Sequence, residues 1–226
     1  MKENHILIGL GGTGGKVLKA FRKRLYQEYN DDERAKLPIA FLYVDSSTEE
    51  MMPGDKTWYV LGKNAQFTAN EFVNVKGVDI KSILANPRNY PGLKGLIGDG
   101  EVMAKTIGEV GAAAAQKRRA GRILFGSSVE NYKNALLGAY NRVNKITHAE
   151  RTNIYIFTGL AGGTGSGSII DVISQTRMMP QFQDMLSMAE RRVLLSLSMR
   201  WFLKLHLQER VMQASIMLMD MLHCRN

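Results

Sequence analysis

The sequence is poorest in the residues that carry covalent and metal-based chemistry. A single cysteine, Cys224, stands among 226 residues, which excludes a disulfide framework and a zinc ribbon. The four histidines, His5, His148, His206 and His223, are scattered, and none pairs at the helical or hairpin spacing that a metal site uses. No Gly-x-Ser-x-Gly elbow occurs, because Thr164 stands two residues before Ser166. No apolar run reaches the roughly 18 residues of a membrane-spanning helix. Met1 to Ile6 lead straight into a strand-like segment, so no signal peptide is expected. These absences together point to a reducing, cytoplasmic setting.

What is present is ordinary for a globular protein: 45% hydrophobic and 23% charged residues, far from disorder, collagen or coiled coil. The length suits one large domain or two small ones. The formal net charge is +9. Residues 191–226 hold Arg191, Arg192, Arg200, Lys204, Arg210 and Arg225 against Glu209 and Asp220, and so carry +4 of that charge. The rest is spread without a basic stripe or an aromatic ladder, which argues against a nucleic-acid face.

Along the chain, short apolar runs alternate with glycine-rich runs and helical repeats. His5-Ile6-Leu7-Ile8 reads as a strand that ends in Gly9-Leu10-Gly11-Gly12-Thr13-Gly14-Gly15. Val17, Leu18, Phe21 and Leu25 then repeat at helical spacing, with Lys16, Lys19, Arg22 and Lys23 on the other face. Asn30 to Arg34 break that helix, and the continuous apolar run Ile39 to Val44 predicts a strand covered on both faces, ending at Asp45-Ser46-Ser47. Residues 51–100 are hard to read beyond their turns and a possible strand at Trp58 to Leu61. Gly111-Ala112-Ala113-Ala114 heads a further helix, and Ser127 or Ser128 caps the next. Asn153 to Thr158 predicts a strand that empties into Gly159-Leu160-Ala161-Gly162-Gly163-Thr164-Gly165-Ser166-Gly167-Ser168, with a helix from Ile169 to about Arg177. Strand, glycine loop and helix in repetition imply an α/β fold with a doubly wound, mostly parallel sheet, Rossmann-like and incomplete at its C-terminus.

Glycine loops of this build suit phosphate. Without a Cβ the backbone comes close, and successive N–H groups point into one concavity. A helix starting behind the loop adds its dipole. Neither loop is a Walker A loop, since Lys16 is followed by Val17 and the second loop has no lysine. The second loop would rely on backbone amides and the Thr164, Ser166 and Ser168 hydroxyls. Thr13 and Thr164, flanked by glycines, have little packing reason to be there. Gly9-x-Gly11-x-x-Gly14 with Asp45 also fits an NAD(P)-binding Rossmann domain of an oxidoreductase, but one pyrophosphate does not explain two loops. A non-catalytic self-association scaffold is a further alternative. Lys117, Arg118, Arg119 and Arg122 either reach a terminal phosphate or form a solvated face.

The second loop, Ala161-Gly162-Gly163-Thr164-Gly165-Ser166-Gly167, resembles the phosphate-wrapping signature of the tubulin/FtsZ superfamily. Gly11, Gly12, Thr13 and Gly14 resemble that family's first phosphate loop, Val44-Asp45-Ser46 the loop after its second strand, and Gly111, Ala112 and Ala113 its γ-phosphate-sensing loop. The resemblance covers about residues 4–190 and is nearest to the bacterial tubulin-like proteins. It implies a nucleotide-dependent, self-assembling GTPase that binds GTP or GDP with Mg²⁺, associates head to tail, and works without nucleic acid or a membrane span. It also implies nucleotide contacts at Gly11, Gly12, Thr13, Gly14, Asp45, Gly111, Ala112, Ala113, Gly162, Gly163, Thr164, Gly165, Ser166 and Gly167.

The expected division is a GTP-binding domain over 1–192 and an atypical Met/Leu-rich tail over 193–226. In a shifted frame the codon junctions of Met199 to Lys204 permit Ala-Leu-Val-Pro-Glu, and those of Ile216 to Cys224 permit Tyr-Ala-Asn-Gly-Tyr-Ala-Ala-Leu. Both strings suit the resembled family better than the tail itself. A frameshifted, truncated product broken near Arg192 is therefore expected, lacking the half that completes hydrolysis.

Overall fold

The computed structural model describes residues 3–76, 79–108, 114, 117–149, 151–182 and 194–197. In chain order these form β1 (Glu3–Leu10), α1 (Gly11–Glu28), α2 (Asp31–Lys36), β2 (Ile39–Asp45), β3 (Tyr59–Val60), β4 (Lys63–Asn64) and β5 (Phe72–Asn74). There follow α3 (Ile80–Ala85), α4 (Lys94–Ile97), α5 (Gly100–Ile107), α6 (Arg118–Ser127), α7 (Val129–Thr147), β6 (Arg151–Thr158), α8 (Thr164–Met178) and β7 (Leu194–Leu197).

The main sheet has the order β5-β2-β1-β6-β7, and every pairing in it is parallel. Continuous apolar runs make its central strands, because both faces are covered. Leu7, Phe41, Tyr43, Tyr155 and Phe157 face α1, which contributes Val17, Leu18, Phe21 and Leu25. Ile6, Ile8, Leu42, Val44 and Ile156 lie in the opposite core with α7, whose Tyr132, Leu136, Ala139 and Val143 are fully buried. Ile123 and Leu124 of α6 and Ile169 and Val172 of α8 complete that side. The expected doubly wound, mostly parallel α/β architecture is what forms, and the lone antiparallel pair among the described residues is the two-residue β3–β4 hairpin.

Several local expectations change. Asn30 to Arg34 do not only end α1: Asn30 caps α2 through a capping box with Glu33, since its side chain accepts the Glu33 N–H and the Glu33 carboxylate accepts the Asn30 N–H. The strand expected at Trp58 to Leu61 shrinks to β3, because Trp58 closes a 3₁₀ turn, Lys56–Trp58, and donates its indole N–H to the Glu50 carbonyl. Ser128 stands at the N-cap of α7 without a side-chain cap bond, and Ser127 bonds back to the Leu124 carbonyl instead. The basic face of α1 is docked at Lys19, Arg22 and Lys23, while Lys16 is exposed. Lys19 pairs with Glu50 and Asp55 above the Trp58 ring, and Arg22 pairs with Glu71 at 2.7 Å over Phe41 and Phe67. Of the tail, only β7 is among the described residues, so the frame-shift expectation lies outside them.

Candidate functional site

β1 and β6 are neighbours whose last residues, Leu10 and Thr158, are paired in register. From Leu10 the chain turns into α1 on one face of the sheet, and from β6 it proceeds into α8 on the other. Strands whose connections depart to opposite faces leave a crevice at their carboxyl ends, the usual ligand position of such sheets. Both glycine runs meet there.

The glycines do not form free loops. α1 begins at Gly11, directly after the strand, and α8 begins at Thr164, five residues before the expected start. The reason is packing. Gly11 has φ +66°, and a methyl on it would stand 2.9 Å from the Gly165 nitrogen. A methyl on Gly165 would stand 2.6 Å from the Leu10 carbonyl oxygen, and one on Gly14 would overlap the Phe157 carbonyl. Gly167 lies against the backbone of Arg118 and Arg122, and Gly163 against Gly121. The two helix starts are thereby pressed together. Gly12 and Gly162 differ, since a methyl on either meets nothing within 4 Å.

A helix start leaves its first N–H groups without helical acceptors. At α2 and α5 side chains supply them: Asn30 for the first, and Asp99, which accepts from Glu101 and Val102, for the second. The starts of α1 and α8 have no side-chain cap and no acidic residue in the first turn. Each brings about half a positive charge, and both open into one crevice. Two uncapped helix starts side by side make a concavity of donors that fits an anion.

The surrounding side chains are arranged as follows. Thr13 packs against Gly159, and Thr164 Oγ1 lies 2.8 Å from Ser46 Oγ, so both threonines have packing or bonding partners that the sequence did not disclose. Ser166 and Ser168 hydroxyls donate back along α8, to the Gly162 and Thr164 carbonyls, and Ser168 is wholly buried. Both hydroxyls are thus engaged with backbone carbonyls. Thr158 is 4% exposed, and its Oγ1 sits beneath Gly165 with no hydrogen-bond partner among the described residues. Ser46 Oγ also accepts the Ala114 N–H at 3.1 Å. Gly111, Ala112 and Ala113 lie outside the described residues, but Ala114 next to them thus reaches the crevice.

Asp45 is 5% exposed, and its carboxylate accepts the Tyr43 hydroxyl at 2.7 Å and the Ser46 N–H at 2.7 Å. Burial, with the Asp45 charge beside it, pushes the Tyr43 hydroxyl far above its ordinary range. Three of the four basic side chains are tied down: Arg118 donates to the Leu160 carbonyl at 3.1 Å, Arg122 holds Asp171 in a two-bond pair at 2.7 and 3.0 Å, and Lys117 donates to the Ile107 carbonyl, while Arg119 is exposed. That pairing raises the Arg122 guanidinium above its usual value. No group of three or more His, Cys, Asp or Glu side chains among the described residues can hold a metal. No helix among them is long and apolar enough to cross a membrane.

Thr158 is the site group that the sequence did not mark, and Ser46 was marked only as part of Val44-Asp45-Ser46. Their one signal is position, each standing at the carboxyl end of an apolar strand beside a glycine run or strand turn. A family model described as tubulin like matches residues 6–195. No curated protein and no solved structure matches the chain.

Proposed function

Because the chain belongs to the tubulin-like family, we propose that the crevice between β1 and β6 holds the phosphates of GTP or GDP and that the protein self-associates in a nucleotide-dependent, head-to-tail manner. The observation that carries this reading is the pair of uncapped, acid-free helix starts of α1 and α8, joined at Gly11 and Gly165. Their first-turn amides would take the phosphate oxygens, with Gly12 and Gly162 leaving the approach open. Thr164 and the unpartnered Thr158 hydroxyl add polar groups at the same place.

Mg²⁺, when bound, would neutralise β- and γ-phosphate charge. It would arrive on the nucleotide, since the described residues offer no carboxylate cluster for it. The chain's own contribution is to bind and orient the phosphates and to exclude water beneath them with the packed Gly11–Gly165 contact. A dinucleotide reading is less well supported. It needs the Asp45 carboxylate for a ribose hydroxyl, and both Asp45 oxygens are already engaged and buried.

The test is equilibrium binding of GTP, GDP and NADH by the full chain, together with light scattering against protein concentration with and without GTP. The proposal expects GTP and GDP to bind, NADH not to, and assembly to depend on nucleotide. NADH binding without GTP binding would contradict it.

A further inference from the structure

The Ser46 hydroxyl joins three segments, the end of β2, the start of α8 and the stretch before α6. It is 1% exposed, accepts the Ala114 N–H at 3.1 Å and stands 2.8 Å from Thr164 Oγ1. A serine hydroxyl has one proton to give and two lone pairs to offer. The contact with Thr164 can run in either direction; both residues are buried, Thr164 at 5% exposure, so the direction is decided by which of them stands where an acceptor can arrive. If Thr164 donated, the Ser46 proton would be shut in the interior with no acceptor among the described residues, which is costly. If Ser46 donates, it is satisfied as both donor and acceptor, and the proton left over is that of Thr164.

Thr164 is the first residue of α8, at the uncapped helix start where an anion is favoured. We infer that Ser46 is a positioning residue that makes the Thr164 hydroxyl a donor to bound phosphate. The chain of donors runs from Ala114 N–H to Ser46, from Ser46 to Thr164, and from Thr164 to a phosphate oxygen. The inference rests on the phosphate reading given above. Each bond in such a chain polarises the next, so an anion at Thr164 strengthens the bond that Ala114 makes.

The experiment measures GTP affinity, with Mg²⁺ present, for the wild type, Ser46→Ala, Thr164→Val, the double variant and Thr164→Ser, and follows the Ala114 amide by NMR. Folding of each is checked by thermal unfolding without nucleotide. Ser46→Ala and Thr164→Val are each expected to weaken GTP binding about tenfold, the size of one hydrogen bond to a charged group. The double variant should be no weaker than Thr164→Val alone, and Thr164→Ser should bind like the wild type. GTP should shift and protect the Ala114 amide in the wild type but not in Ser46→Ala. Losses that multiply in the double variant, or wild-type affinity in Ser46→Ala, would overturn the relay while leaving the phosphate site standing. Absence of GTP binding by the wild type would remove the phosphate reading, and this inference with it. Should Ser46→Ala not fold, Ser46→Cys replaces it. Its weak S–H donor predicts an intermediate loss, and undiminished affinity contradicts the relay.

Discussion

The glycines of the crevice divide into two kinds with opposite consequences on substitution. Gly165 is a packing glycine, with Leu10 and Thr158 against its Cα. Gly165→Val is expected to cost about 3 kcal/mol or more, in the range of severe overpacking, and to lower the midpoint of urea unfolding accordingly. Loss of binding in that variant would say nothing of the ligand. Gly12 is exposed and open. Gly12→Asp places a carboxylate in the first turn of α1, where it should leave stability unchanged or raise it by about 0.3–1 kcal/mol while repelling phosphate. Stability and binding then move in opposite directions, which a merely structural loop does not allow. Tyr43 supplies a pH prediction. Its hydroxyl is held protonated far above the ordinary tyrosine range by burial and by Asp45. A raised folded value means that its stabilisation is complete below pH about 10 and is lost as pH rises beyond that. Spectrophotometric titration should show Tyr43 ionising only with alkaline unfolding, and Tyr43→Phe should remove that part of the alkaline sensitivity.

At the scale of the elements, β1, β2 and β6 were legible because strands covered on both faces are written as unbroken apolar runs, such as Ile39 to Val44. α1 was legible from the spacing of Val17, Leu18, Phe21 and Leu25. The helix starts were not. Glycine has poor helix propensity, so Gly11 to Gly15 and Thr164 to Ser168 read as loops, and only the contacts across the crevice show why the helices begin there. Residues 51–100 were hard to read, and over 51–76 the reason is a different one. Their turns and two-residue strands depend on distant partners, Arg22 for Glu71 and Lys19 for Glu50 and Asp55. Arg22 and Glu71 are 12% and 13% exposed at their side chains. Glu71→Ala should therefore cost about 2–4 kcal/mol, approaching the value for a buried pair broken on one side. Lys133→Ala, which breaks the exposed pair with Glu130, should cost under about 0.5 kcal/mol in the same denaturation series. α7 ends at His148 with φ +48° and ψ +41°. His148→Gly should stabilise the chain by about 1 kcal/mol by removing a Cβ from the left-handed region.

At the scale of the molecule, the order β5-β2-β1-β6-β7 puts β1 and β6 at the point where the connections diverge. The two glycine runs, separated by more than a hundred residues in sequence, meet there because β1 and β6 pair along their whole length. The sequence disclosed both runs and the family they resemble, but not that they touch, nor that Ser46 and Thr158 share the crevice. Those facts depend on register, which no local pattern encodes. The proposed phosphate site lies at this edge of the sheet, at the carboxyl ends of its parallel strands. In the proposed function the joined starts of α1 and α8 hold nucleotide phosphate. The most direct measurement is calorimetric titration of GTP, with Mg²⁺, into the wild-type chain and into Gly12→Asp. The account predicts saturable binding to the wild type, weakened at least about tenfold in a Gly12→Asp protein that unfolds no earlier than the wild type. Equal affinity in both, or no heat of binding in either, would contradict it.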